Sequence, residues 1–142
     1  MAKKRQEILL STIGGRPINV DSDVPENATL VHEIVNAEDD MDEIFLYACN
    51  KENAPSVLTI LHQTFDGEGE LESSIEITKI NLPALSGLYN VVSGIPFRNP
   101  VEGKTAKITA ISSVPNAINL TGWFNVVDFG FQNRIPSTYK QS

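Results

Sequence analysis

The unit that recurs along this 142-residue chain is an apolar, β-branched run closed by a cluster of Gly, Pro, Asp or Asn. Runs of about five to ten residues between such turn signals are the pattern of an antiparallel sandwich or barrel. No stretch of a dozen residues keeps apolar side chains at three- and four-residue spacing behind a capping residue. Helix content is therefore expected to be near nil. Strands are expected at EILLSTI (7–13), which stops at Gly14 and Gly15, and at ATLVHEIV (28–35), EIFLYACN (43–50), VLTILHQTF (57–65) and SIEITKINL (74–82). LYNVV (88–92), TAKITAIS (105–112) and AINLTGWFNVV (117–127) follow. Gly94 and Pro96 make IPFRNP an edge segment or corner, because proline cannot donate to a sheet ladder. Strand 28–35 is expected to form a hairpin with 43–50, and 57–65 with 74–82.

The fold class this predicts is all-β: an antiparallel β-sandwich, jelly-roll-like, of about eight strands with extended terminal arms. Residues 1–27 form an amino-terminal strand and arm, 28–127 the sandwich core, and 128–142 a carboxy-terminal arm. A chain of this length buries roughly 70% of its unfolded surface without disulfides or metals. Hydrophobic residues make up 41% of it, within the globular range. The lone Cys49 excludes an internal disulfide and a multi-cysteine metal site. The apolar run behind Lys3, Lys4 and Arg5 is broken by Gln6, Glu7, Ser11 and Thr12, too short for a signal-peptide core or a membrane span. No membrane partner is expected.

Alternation assigns faces. Ile118, Leu120, Phe124 and Val126 share the core side of the last strand, while Trp123 falls on the other side with Asn119, Thr121 and Asn125. In 28–35 both faces are half apolar, Leu30 and Ile34 against Val31 and Val35, a pattern expected of a strand covered twice, once by a second subunit. The tail after Val127 carries Phe129, Phe131, Ile135 and Tyr139 without alternation and is expected to be an arm that orders on a partner.

Charge is unevenly distributed. Residues 1–76 hold 16 acidic and 5 basic side chains, a balance of −11, and residues 77–142 hold 2 acidic and 6 basic, a balance of +4, which sum to the net −7. An acidic chain repels nucleic-acid phosphates, so no nucleic-acid partner is expected. The basic start, Lys3, Lys4 and Arg5, suits contact with nucleic acid or an acidic protein surface, or simple solubility, and three charges are a weak signal for the first.

Chemistry-bearing residues are few. His32 and His62 lie inside strands with no second ligand at metal spacing, and are expected to be structural. Cys49, beside Tyr47 and Ala48, is expected to be a buried inert thiol; a nucleophile centred on it is the weakest functional reading. The acidic run Glu38, Asp39, Asp40, Asp42 and Glu43 lacks calcium-loop spacing and is expected to be a solvated hairpin tip whose charge deters edge-to-edge aggregation. Asp66, Glu68 and Glu70 read the same way. Neither glycine pair, Gly14/Gly15 nor Gly67/Gly69, stands between a strand and a helix, so neither reads as a phosphate loop. The glycan acceptor patterns at Asn27 and Asn119 come without a secretory signal. No catalytic residue, cofactor or metal is assigned.

The segment ATLVHEIVNAEDDMDEIFLYACNKENAPSVLTI, followed by ALSGLYNVVSGIPFRN and TAKITAISSVPNAINLTGWFN, resembles small virion structural proteins of tailed bacteriophages. The resemblance covers roughly residues 28–127 and lies in pattern: a strand, an Asp-Glu turn, a strand ending in Asn, and a late strand carrying an aromatic. It implies a non-enzymatic β-sandwich on the phage particle, assembled in the host cytoplasm, of the head decoration (cement) or head-fibre base type, with neck or tail attachment as neighbouring roles. The implied partners are the major capsid protein or other virion proteins and further copies of the chain, trimers above all. Trp123, Phe129, Phe131, Tyr139, Lys3, Lys4 and Arg5 are the expected interface residues. The alternative of a different class is a carbohydrate-binding sandwich that recognises a host surface, with Tyr89 or Trp123 stacking on sugars.

Overall fold

The computed structural model describes residues 2–10, 16–34, 40–100 and 103–128, with backbone alone for 2–7. The described residues form nine strands: β1 (Ala2–Leu9), β2 (Ile18–Val20), β3 (Thr29–Glu33), β4 (Asp40–Asn50), β5 (Ser56–Phe65), β6 (Leu71–Leu82), β7 (Tyr89–Phe97), β8 (Thr105–Ser112) and β9 (Ile118–Asp128). Among the described residues the one helical element is a single 3-10 turn, Pro25–Asn27. All strand pairs are antiparallel.

Two sheets face one another. The first runs β1–β9–β4–β7, with β2 also on β9, and the second runs β3–β8–β5–β6. β1 pairs with β9 from Trp123 to Asp128 and β2 with β9 from Ile118 to Leu120, so the two share one edge and make eight lanes in all. From β2 onward every connection crosses between sheets except β5 to β6. That is a jelly-roll winding, and the expected sandwich is what forms.

The core is the meeting of two alternating faces. Ile44, Leu46, Ala48, Ile118, Leu120, Phe124 and Val126 come from the first sheet, and Val31, Leu58, Ile60, Ile108 and Ala110 from the second. Each large side chain buried this way contributes about 2 kcal/mol. The four residues expected to point inward from the last strand all do.

The 57–65/74–82 hairpin forms, as β5–β6. The other expected hairpin does not: β3 and β4 lie in different sheets. Each presents one apolar face, and crossing between the sheets lets those faces meet, which proximity along the chain does not reveal. A register shift falls in β3 between Leu30 and His32 opposite β8; Val31 there is fully buried, Leu30 is 38% exposed and Val35 lies outside the described residues.

The amino-terminal strand, expected at 7–13, begins earlier, and residues 11–13 lie outside the described residues. Its backbone pairs from Ala2 to Leu9, and Ile18 and Val20, expected in an arm, are buried in the core. LYNVV and IPFRNP merge into one edge strand, β7, which carries Pro96 and two register irregularities. In the acidic loop after β5, the Asp66 Oδ1 accepts hydrogen bonds from the Glu68 and Glu70 amides at 2.9 Å each, and Gly69 takes φ +84. The turn expected of DGEGE is held by its own aspartate.

Candidate functional site: an aromatic strip on the outer face of one sheet

Residues of β4 and β9 that alternate with core side chains face away from the second sheet. Their register sets Met41 opposite Val127, Glu43 opposite Asn125, Phe45 opposite Trp123, Tyr47 opposite Thr121 and Cys49 opposite Asn119. The outer side of a sandwich sheet is ordinarily polar. Here its middle is aromatic. The Phe45 and Trp123 rings stack with centroids 5.3 Å apart and planes 16° from parallel, and Tyr47 stacks on the same indole at 5.6 Å and 27°. All three are half-buried. Leu9, the β1 partner of Trp123, is 59% exposed, so the strip continues as an aliphatic surface across the sheet.

Two glycines let the strip pack. A Cβ on Gly94 of β7 would come within 3.1 Å of the Phe45 ring and 3.6 Å of the Glu43 Oε2. A Cβ on Gly122 would fall 2.0 Å from the Phe45 carbonyl oxygen, so β9 and β4 approach there only because no side chain intervenes.

Polar groups close both ends. At one end the Asn125 amide donates to the Glu43 Oε1 at 2.8 Å, and both residues are buried. At the other, the Lys51 ammonium donates to Asn19 Oδ1 at 3.0 Å and Asn119 Oδ1 at 3.4 Å, while Asn19 donates to Asn116 Oδ1 at 2.7 Å. That second row is solvent-exposed.

The histidines sit elsewhere. His32 Nε2 lies 2.8 Å from the Asp42 Oδ2 with both side chains essentially fully buried between the sheets, and its ring packs on Phe124 at 4.4 Å. A pair so enclosed meets no substrate, and it joins β3 of one sheet to β4 of the other. His62 stacks on Phe97 at 5.5 Å, and partial burial lowers its pKa from 6.5, opposed by a backbone hydrogen bond. His32 is a structural histidine, as expected.

The acidic run is a correction. Asp42 and Glu43 belong to β4 and are buried against His32 and Asn125, because the strand begins at Asp40 and carries them into the sheet. Glu38 and Asp39 lie outside the described residues. Cys49, expected to be buried, is half-buried on the outer face, since alternation gives the inward place to Ala48. Among the described residues no group of three His, Cys, Asp or Glu side chains is placed to hold a metal ion.

Of the expected interface residues, Trp123 lies at the centre of the strip. Lys3, Lys4 and Arg5 are strand residues of β1, of whose side chains nothing is described. Phe129, Phe131 and Tyr139 lie outside the described residues. Phe45 and Tyr47 were legible as partners of Trp123 only through the β4–β9 register, which no local pattern announces.

No family model and no curated protein matches the chain. Among solved structures it is similar to the CBM22-1–GH10 modules of the Clostridium thermocellum N-terminal endo-1,4-beta-D-xylanase 10B, complexed with xylohexaose. The TM-score is 0.48 and the identity 7%, over 99% of this chain and 29% of that one. The chain thus spans under a third of that protein's length. Its own strand order carries the fold assignment.

Proposed function

We propose that the chain is a non-enzymatic structural protein of a tailed-phage virion, a head decoration (cement) protein that adds interface between subunits of the assembled shell. The observation behind it is the Phe45–Trp123–Tyr47 strip, a half-buried aromatic surface on the outer face of the first sheet. Large aromatics concentrate binding energy at interfaces. A protein that binds only the assembled shell raises its stability by mass action, with no chemistry required. The phage assignment rests on the sequence resemblance over 28–127, since a jelly roll by itself specifies no function. Mass spectrometry of purified particles from the genome that encodes the chain tests it. A fixed copy number relative to the major capsid protein is expected, and absence from intact particles overturns it.

A second reading is a carbohydrate-binding module, favoured by the exposed Lys51, Asn19, Asn119 and Asn116 row beside the aromatic strip. Aromatic rings bordered by such donors and acceptors suit a sugar's apolar faces and hydroxyls. Saturable binding on a glycan array, lost in Lys51→Ala, is its expected result. A blank array decides against it.

A further inference from the structure

We propose that the edge of β6, unpaired among the described residues, pairs with β6 of a second copy, joining two second sheets into one continuous eight-stranded sheet about a two-fold axis. The proposal does not depend on the aromatic strip, which lies on the other sheet.

The described sheet edges differ in how they are protected. β7 carries Pro96 and two register irregularities, and β3 is five residues long with a bulge; these are ordinary devices for blunting an edge. β6 also shifts register twice against β5, but it has twelve residues and no proline, which at about 3.4 Å per residue is roughly 40 Å of edge. Ile75 on it is 60% exposed, in a strand whose one buried residue is Leu82 and whose Ile77 and Ile80 are only partly buried.

The sequence of β6 is complementary to itself in one antiparallel register. When paired residue numbers sum to 155, Ile75 meets Ile80, Glu76 meets Lys79, Ser74 meets Asn81 and Ile77 meets Thr78, each twice by symmetry. Glu76 and Lys79 are 46% and 58% exposed and close enough within one chain, 3.6 Å, to share a face. A regular strand forbids an odd-sum register, because residues of opposite parity point to opposite faces. β6 is not regular. Its register against β5 shifts between Thr78 and Glu76, so Ile77 is an extra residue and parity reverses there. Ile75 therefore faces the same way as Ile80, and Glu76 the same way as Lys79. The bulge is what makes the self-complementary register face-consistent. Pairing covers Ile75 with Ile80 of the partner subunit and sets four opposite charges across the seam. Such an interface is isologous and closes after two copies.

The experiment is a charge exchange read by light scattering on the full chain, with circular dichroism confirming that each variant is folded. Wild type is expected as a dimer. Glu76→Lys and Lys79→Glu each place like charges opposite at both symmetric positions and should weaken it by about tenfold. A one-to-one mixture of the two single variants should dimerise, as should the double variant Glu76→Lys/Lys79→Glu, because both restore opposite charges. A wild type that stays monomeric at about 1 mM overturns the proposal. So does an oligomer, trimer included, that neither single reversal weakens, or single variants whose mixture fails to recover.

Discussion

His32 and Asp42 join the two sheets through a buried contact, Nε2 to Oδ2 at 2.8 Å, at positions that the sequence separates by a turn and the fold places on opposite sides of the core. A buried pair is weak evidence of net stabilisation, since desolvating both groups offsets their attraction, but removing one partner takes this contact from a group that stays buried. His32→Ala and Asp42→Ala should each lower unfolding free energy by about 3 kcal/mol. Replacing both with apolar residues should cost less than the sum of the two. Urea titration of the four proteins checks this double-mutant cycle.

Gly122 of β9 pairs with Leu46 of β4. Gly122→Ala would put its Cβ 2.0 Å from the Phe45 carbonyl oxygen and 3.1 Å from the Leu46 Cα, both backbone atoms with no flexible end to yield. The central pairing of the first sheet must open, so a loss of about 3 kcal/mol is expected, at the upper end for overpacking. Thermal denaturation measures it. A variant as stable as the wild type would mean that β9 and β4 are farther apart there.

His62 gives the fold a direction of pH dependence. Burial against Phe97 holds its folded pKa below the 6.5 of the unfolded chain, so the unfolded state binds more protons between those two values. Its contribution is intact above pH 6.5 and is lost as pH falls through the folded value. His62 is half exposed, so the effect is small. The urea midpoint should drop between about pH 7.5 and about pH 5 by more in wild type than in His62→Gln.

Much of the sandwich was legible in the sequence because strand alternation is local: Ile118, Leu120, Phe124 and Val126 face the core as their spacing says. What was not legible depends on partners distant in the chain. The separation of β3 from β4 is a choice between two arrangements that bury the same side chains. Asp42 and Glu43 read as solvated because acidic residues usually are, and their burial follows from His32 and Asn125, ten and 82 residues away. Trp123 was separable from the core by alternation alone, but the strip it centres on needed the register of β4.

The most direct measurement is the copy number of Trp123→Ala on purified particles, beside its stability in isolation. Trp123 is half-buried on an outer face, so truncation should cost the monomer only about 1 to 2 kcal/mol, chiefly its stacking on Phe45 and Tyr47. A central aromatic of a docking face should instead cost binding at least 2 kcal/mol, roughly thirtyfold in affinity. The expected result is a folded, cooperatively unfolding variant that is depleted from particles carrying the wild-type chain at fixed stoichiometry. Retention of Trp123→Ala at the wild-type copy number would contradict the assignment of the aromatic strip as the surface that holds this protein to its shell.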